Sequence, residues 1–63
     1  MSRAWEELEA ELRVLDRFTE SAMRHISCAL NSGTSYQALQ HARNARSRLL
    51  AAVEILNVIE MDS

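Results

Sequence analysis

One short segment, Asn31-Ser32-Gly33-Thr34, is the only interruption of an otherwise helical sequence. The 63-residue chain contains no proline, and Gly33 is its only glycine. Asparagine and glycine readily take the left-handed conformation that ends a helix, and Thr34 with Gln37 matches the capping box that begins one. A connection this short forces two helices of similar length to run antiparallel. The sequence therefore predicts one all-α domain over residues 1–63, an antiparallel two-helix hairpin with helices at about 2–30 and 35–60.

Helix 1 is predicted from apolar residues that repeat at alternating steps of three and four. The seam consists of Trp5, Leu8, Leu12, Leu15, Thr19, Ala22, Ile26 and Ala29. Ser2 is the predicted N-cap, and Glu6 and Glu7 follow in the first turns, where the helix dipole favours negative charge. Thr19 is the polar interruption of the seam. We expect its hydroxyl either to bond to a carbonyl of its own helix or to mark a change in the packing.

Helix 2 carries apolar residues on more sides than one neighbouring helix can cover. Between residues 49 and 59 only Glu54 and Asn57 are polar. The seam predicted to face helix 1 consists of Leu39, Ala42, Leu49, Val53 and Leu56. A second stripe, rich in alanine, would let another helix approach closely, and it consists of Ala38, Ala42, Ala45, Leu49, Ala52, Leu56 and Ile59. The surplus apolar surface predicts contact with another chain.

Chain length points to the same conclusion. A chain this short buries only about 60% of its unfolded surface and is marginally stable alone. Cys28 is the only cysteine, so no internal disulfide can form, and two histidines with one cysteine do not complete a zinc site. The remaining source of stability is the burial of apolar surface against a partner protein. The sequence predicts that a helical partner protein binds through five residues, Leu50, Ile55, Val58 and Ile59 of helix 2 and Trp5 of helix 1.

The charges separate along the predicted hairpin. Residues 1–16 and 54–63, at the open end, have a balance of −6, and the remainder, at the turn end, has +4. A partner of complementary charge would be oriented by this separation. The alternative is that these are ordinary solvated faces. Arg46 falls on a core-type position of helix 2, where its stem would lie over apolar surface or its head would pair with a partner carboxylate.

Catalytic, metal and cofactor sites are not predicted. His25 and Cys28 share a helical face, but a hairpin supplies neither a pocket nor a third group to activate a nucleophile. The net charge of −2 disfavours nucleic acid as a partner. The opening residues lack an apolar signal segment, and the apolar run is too short for a membrane span. With a free thiol, these features predict a cytoplasmic protein that is not an enzyme.

Four segments carry a resemblance to a known family. They are the acidic opening at residues 6–12, the turn at 31–34, the Tyr36-Gln37 pair and the apolar close at 51–59. In these segments the chain resembles the small E-type co-chaperones of type III secretion needle subunits. The resemblance implies a cytoplasmic hairpin that binds and stabilises a larger helical-repeat chaperone. That pair holds the needle subunit and prevents its premature polymerisation.

Two other interpretations stay open at the level of sequence. Two copies could form a homodimeric four-helix bundle, as in plasmid-copy-control RNA-binding proteins of similar size, with arginines from both turn ends contacting RNA. The chain could also be a small regulator that inserts a helix into a groove of its target. Mass in solution separates the first of these from a hairpin that binds a different protein.

Overall fold

The computed structural model describes residues 4–61, which form two α-helices joined by a tight turn. Helix α1 is Trp5–Leu30 and helix α2 is Ser35–Met61, and this part of the chain contains no strand. The two helices pack along each other as a rod of 50 × 16 × 9 Å. Its radius of gyration is 14.7 Å, against roughly 11 Å for a compact domain of this length. The predicted helical hairpin is confirmed.

The turn ends one helix and begins the next within four residues. The N–H groups of Asn31 and Ser32 donate to the carbonyls of Cys28 and Ala29 at 3.2 and 3.3 Å. Gly33 follows with φ +79°, in the left-handed region where a side chain is strained. The N–H of Gln37 donates to Thr34 Oγ1 at 3.2 Å, which is one half of the predicted capping box.

Helix α1 begins later than the sequence predicts. Its first residue is Trp5, and Ala4 occupies the N-cap position with φ −64° and ψ 144° and no side-chain hydrogen bond. Ser2, the predicted N-cap, lies outside the described residues. Glu6 and Glu7 do lie in the first turn, where negative charge stabilises the exposed N–H groups of the helix.

Alanine dominates the contact between the helices. Among residues 4–61 the buried apolar residues are Ala22 of α1 and Ala45, Ala52 and Ile59 of α2. Around them lie the half-buried apolar side chains and the two histidines of the contact, namely Leu8, Leu15, Phe18, His25 and Ala29 on α1 and Ala38, His41, Ala51 and Ile55 on α2. The accessible surface is 5024 Å², against roughly 4,100 Å² for a compact monomer of this mass. The hairpin therefore hides less of its surface than a typical small domain.

The predicted seam of α2 is wrong. The side of α2 that meets α1 is its alanine-rich side, and the predicted seam of Leu39, Ala42, Leu49, Val53 and Leu56 is exposed. The helix is rotated by roughly 60–100° from the predicted orientation, because each residue turns it by about 100°. Small side chains at the contact let the backbones approach closely, while the bulkier row is left on the flank.

Thr19 interrupts the α1 seam without disturbing the helix. Its Oγ1 donates to the carbonyl oxygens of Leu15 and Asp16, at 3.2 and 2.9 Å. These bonds satisfy the hydroxyl within its own helix. Of the two expectations for Thr19, the bond to its own backbone is confirmed.

Candidate binding face

One broad side of the flat hairpin carries a set of exposed apolar side chains, which we call the apolar face. Both helices contribute to it. Its members are Trp5, Leu12, Met23, Ile26 and Leu30 on α1 and Leu39, Leu49, Val53 and Leu56 on α2, all of them exposed. A soluble monomer rarely leaves so many large apolar residues together on one surface.

Heptad spacing aligns the α1 members of the apolar face. Trp5 and Leu12 lie three and two heptads before Ile26, and positions seven apart differ by only about 20° around a helix. Met23 and Leu30 lie on either side of Ile26 at steps of three and four, which also share a face. Ala22 of the contact lies four residues before Ile26, so the apolar row runs beside the buried row.

Two open grooves show that the α2 members of the apolar face lie on the same broad side as its α1 members. One groove is lined by Met23, Ile26 and Leu30 of α1 together with Leu49 of α2. A second, nearer the turn, is lined by Ile26 and Leu30 together with Leu39 and Ala42. Leu56 follows Leu49 by one heptad and Val53 follows it by four residues, so they extend the face toward the open end.

The opposite broad side is more polar. A third groove lies there, lined by Val14, Arg17, Phe18 and Ser21 of α1 and by Arg48 of α2. None of these residues lines either groove of the apolar face. Arg48 of α2 thus shares a groove with Val14 and Phe18 of α1. Arg46, the core-type position singled out in the sequence, is exposed.

The structure separates the five residues predicted to bind a partner. Trp5 is 61% exposed and belongs to the apolar face. Leu50 and Val58 are also exposed. Leu50 lies three residues before Val53 and borders the apolar face, whereas Val58 lies two residues after Leu56 and projects from another side of α2. Ile55 is half-buried. Ile59 is 7% exposed, so the expectation that it is available to a partner is wrong.

Charge is distributed unevenly along the hairpin. Among the described residues, the open half (residues 4–16 and 54–61) has seven carboxylates and one arginine, and the turn half (17–53) has five arginines and one carboxylate. The balances are −6 and +4. One ion pair is seen between described residues, Arg13 with Glu9 at 3.2 Å, and an exposed pair of this kind contributes little stability. Among the described residues all six arginines and six of the eight carboxylates are exposed.

The chemically reactive side chains do not form a site. The rings of His25 and His41 lie 6.0 Å apart between centroids, and Cys28 is exposed as a free thiol. Within residues 4–61 no group of three or more histidine, cysteine or acidic side chains could hold a metal ion. Neither described helix combines the length and the hydropathy that a membrane-spanning segment needs.

The sequence contains a signal for the members of the apolar face that are not among the predicted binding residues. Alanines recur every seven residues at Ala22 and Ala29 on α1 and at Ala38, Ala45 and Ala52 on α2. Such matched rows of small residues favour close contact between helices, and they assign the larger residues beside them to the flanks. Comparison of the chain with models of known protein families, with curated proteins and with solved structures finds no match.

Proposed function

We propose that the chain is an interaction protein that binds an α-helical partner protein along the apolar face. The observation that carries the proposal is the exposure of nine large apolar side chains on one side of a hairpin whose buried described residues are three alanines and one isoleucine. Burying each anchor contributes about 1.5–3 kcal/mol. A few well-covered anchors are therefore enough for a stable complex.

The form of the face suits a helix rather than a compact ligand. The two grooves lie between ridges formed by Ile26 and Leu30 on one side and by Leu39 and Leu49 on the other. A partner helix laid along this channel would place its own apolar stripe between the two helices. The uneven charge of the hairpin would then select one direction for that helix.

The resemblance of residues 6–12, 31–34, 36–37 and 51–59 to the E-type co-chaperones gives the proposal a more specific form. In that form the partner is the helical-repeat chaperone of a type III secretion needle subunit, and the complex forms in the cytoplasm. Helical-repeat proteins present exposed helices in regular array, which is the kind of surface that the apolar face would accept. The hairpin would stabilise that chaperone and help to prevent premature needle polymerisation.

Leu49 and Val58 provide a matched test of the face. They are 47% and 52% exposed, but Leu49 belongs to the apolar face and Val58, nine residues later, lies on the opposite side of the helix. Tagged wild-type chain would be used to capture partners from its host, and each purified partner would be titrated calorimetrically with Leu49→Asp and Val58→Asp. We expect Leu49→Asp to lower affinity about 100-fold, or roughly 2.7 kcal/mol, and Val58→Asp to leave it nearly unchanged.

The same experiment separates the general proposal from the specific one. Equal binding by the two variants would show that the apolar face is not used. A captured partner that is helical but is not a helical-repeat chaperone would overturn the co-chaperone assignment and leave the binding face intact. Circular dichroism of both variants checks that each keeps the helical content of the wild-type chain.

A further inference from the structure

We infer that in the free protein a second copy of the chain covers the apolar face, with the two hairpins antiparallel. The inference rests on the proposed function in that both use the same face. It adds that partner binding is an exchange, in which the partner displaces the second copy. The turn end of one copy lies over the open end of the other.

The area of the face matches the need of a stable dimer. The broad side of the hairpin measures 50 × 16 Å, a projected area of about 800 Å². Two such faces in contact would bury about 1,600 Å² in total, which is the size of a standard specific interface. Two hairpins packed face to face in this way would form a four-helix bundle with a shared core.

Charge selects the antiparallel arrangement. The acidic half and the basic half have balances of −6 and +4 among the described residues, and their centres lie about 20 Å apart along the rod by the helical rise. A parallel pair would stack like charges on like charges. An antiparallel pair brings each arginine-rich half over the carboxylates of the other copy.

The antiparallel register also pairs the apolar side chains by size. Aligning the ends of the two rods puts Trp5 of one copy over the groove lined by Leu30 and Leu39 of the other. Leu49 then lies near the two-fold axis, because α2 has its midpoint close to that residue. Leu56 meets the exposed Ala42 of the second copy, a large residue over a small one.

The first test is the mass of the free chain in solution, measured by sedimentation equilibrium. We expect twice the chain mass of 7.2 kDa. Ile26→Asp should raise the dissociation constant about 100-fold. Val14→Asp is the matched control, since Val14 and Ile26 are 40% and 44% exposed but lie on opposite broad sides. Equal effects of the two substitutions, or a monomeric wild-type chain, would overturn the inference.

The second test measures orientation with the only tryptophan and the only cysteine. Trp5 lies at the open end of its own chain, and the exposed Cys28 lies near the turn, about 35 Å away along the helix. A Trp5→Phe chain labelled on Cys28 with an energy acceptor would be mixed with unlabelled wild-type chain. Transfer from Trp5 can then occur only between copies, and we expect it to be efficient in the antiparallel dimer.

The outcomes distinguish this inference from the proposed function. A dimer without energy transfer would be parallel, which overturns the antiparallel arrangement. A monomeric chain whose partner binding still depends on Leu49 would overturn the dimer and leave the proposed function intact. An antiparallel dimer whose Leu49→Asp variant captures partners normally would support the second copy and overturn the proposed function.

Discussion

The imidazole rings of His25 and His41 lie against each other across the hairpin, with centroids 6.0 Å apart and planes tilted by 33°. The contact leaves Nδ1 of His41 buried without a hydrogen-bond partner. A buried polar atom without a partner loses its bonds to water and gains nothing in return. The contact between α1 and α2 is therefore weaker at this level than at the alanines on either side.

Replacing His41 by leucine should stabilise the hairpin. The His41→Leu variant removes the unpaired nitrogen and keeps an apolar group of similar size, so we expect the free energy of unfolding to rise by about 1 kcal/mol. Urea denaturation followed by circular dichroism, at one fixed protein concentration, measures the change. Gln40→Leu at the neighbouring exposed position is the control. A less stable His41→Leu variant would mean that the imidazole contributes to the fold.

Enlarging an alanine of the contact should separate the helices. Ala45 is 1% exposed, so the added atoms of Ala45→Leu have no free space, and we expect a loss of about 1–3 kcal/mol. The same substitution at the exposed Ala10 should change stability by less than about 0.5 kcal/mol. Thermal unfolding of both variants provides the comparison. If Ala45→Leu proved as stable as Ala10→Leu, the close approach of the helices at this level would be wrong.

Gly33 should be sensitive to substitution for a backbone reason alone. Its φ is +79°, and a Cβ at this position would meet no atom within 4 Å. Gly33→Ala therefore tests the left-handed conformation without a steric clash, and we expect a loss of about 1–2 kcal/mol. Asparagine tolerates this conformation better, so Gly33→Asn should lose less. Equal melting temperatures for the wild-type chain and Gly33→Ala would contradict this account of the turn.

The fold was predictable because the residues that end one helix and begin the next lie close together in the sequence. A single break in a proline-free chain, with Gly33 to end one helix and Thr34 to begin the next, determines a hairpin and its boundaries near residues 30 and 35. The predicted start of α1, near residue 2, is too early. Ser2 is a good capping residue by type, but the helix begins at Trp5 without any side-chain cap.

The rotation of α2 was not predictable from hydrophobic periodicity. Apolar residues occur around much of this helix, so several rows could face α1 with similar burial. The packing selects the row of Ala45 and Ala52, because small side chains allow the backbones to approach closely and gain dispersion contacts along their length. For that reason Ile59 joined the core and Leu49 was left outside.

Short alanine side chains hold the two helices together, and the larger apolar side chains on the flank face outward. Most small domains use the same side chains for both roles. At the levels of Ala22, Ala45 and Ala52, which are buried, the spacing of the helix axes is determined chiefly by the backbones. Leucines and isoleucines on the flank can therefore be exchanged without moving the scaffold beneath them. Proteins that share this hairpin can therefore change their binding specificity by substitution at the flanking apolar positions, without a change in the fold.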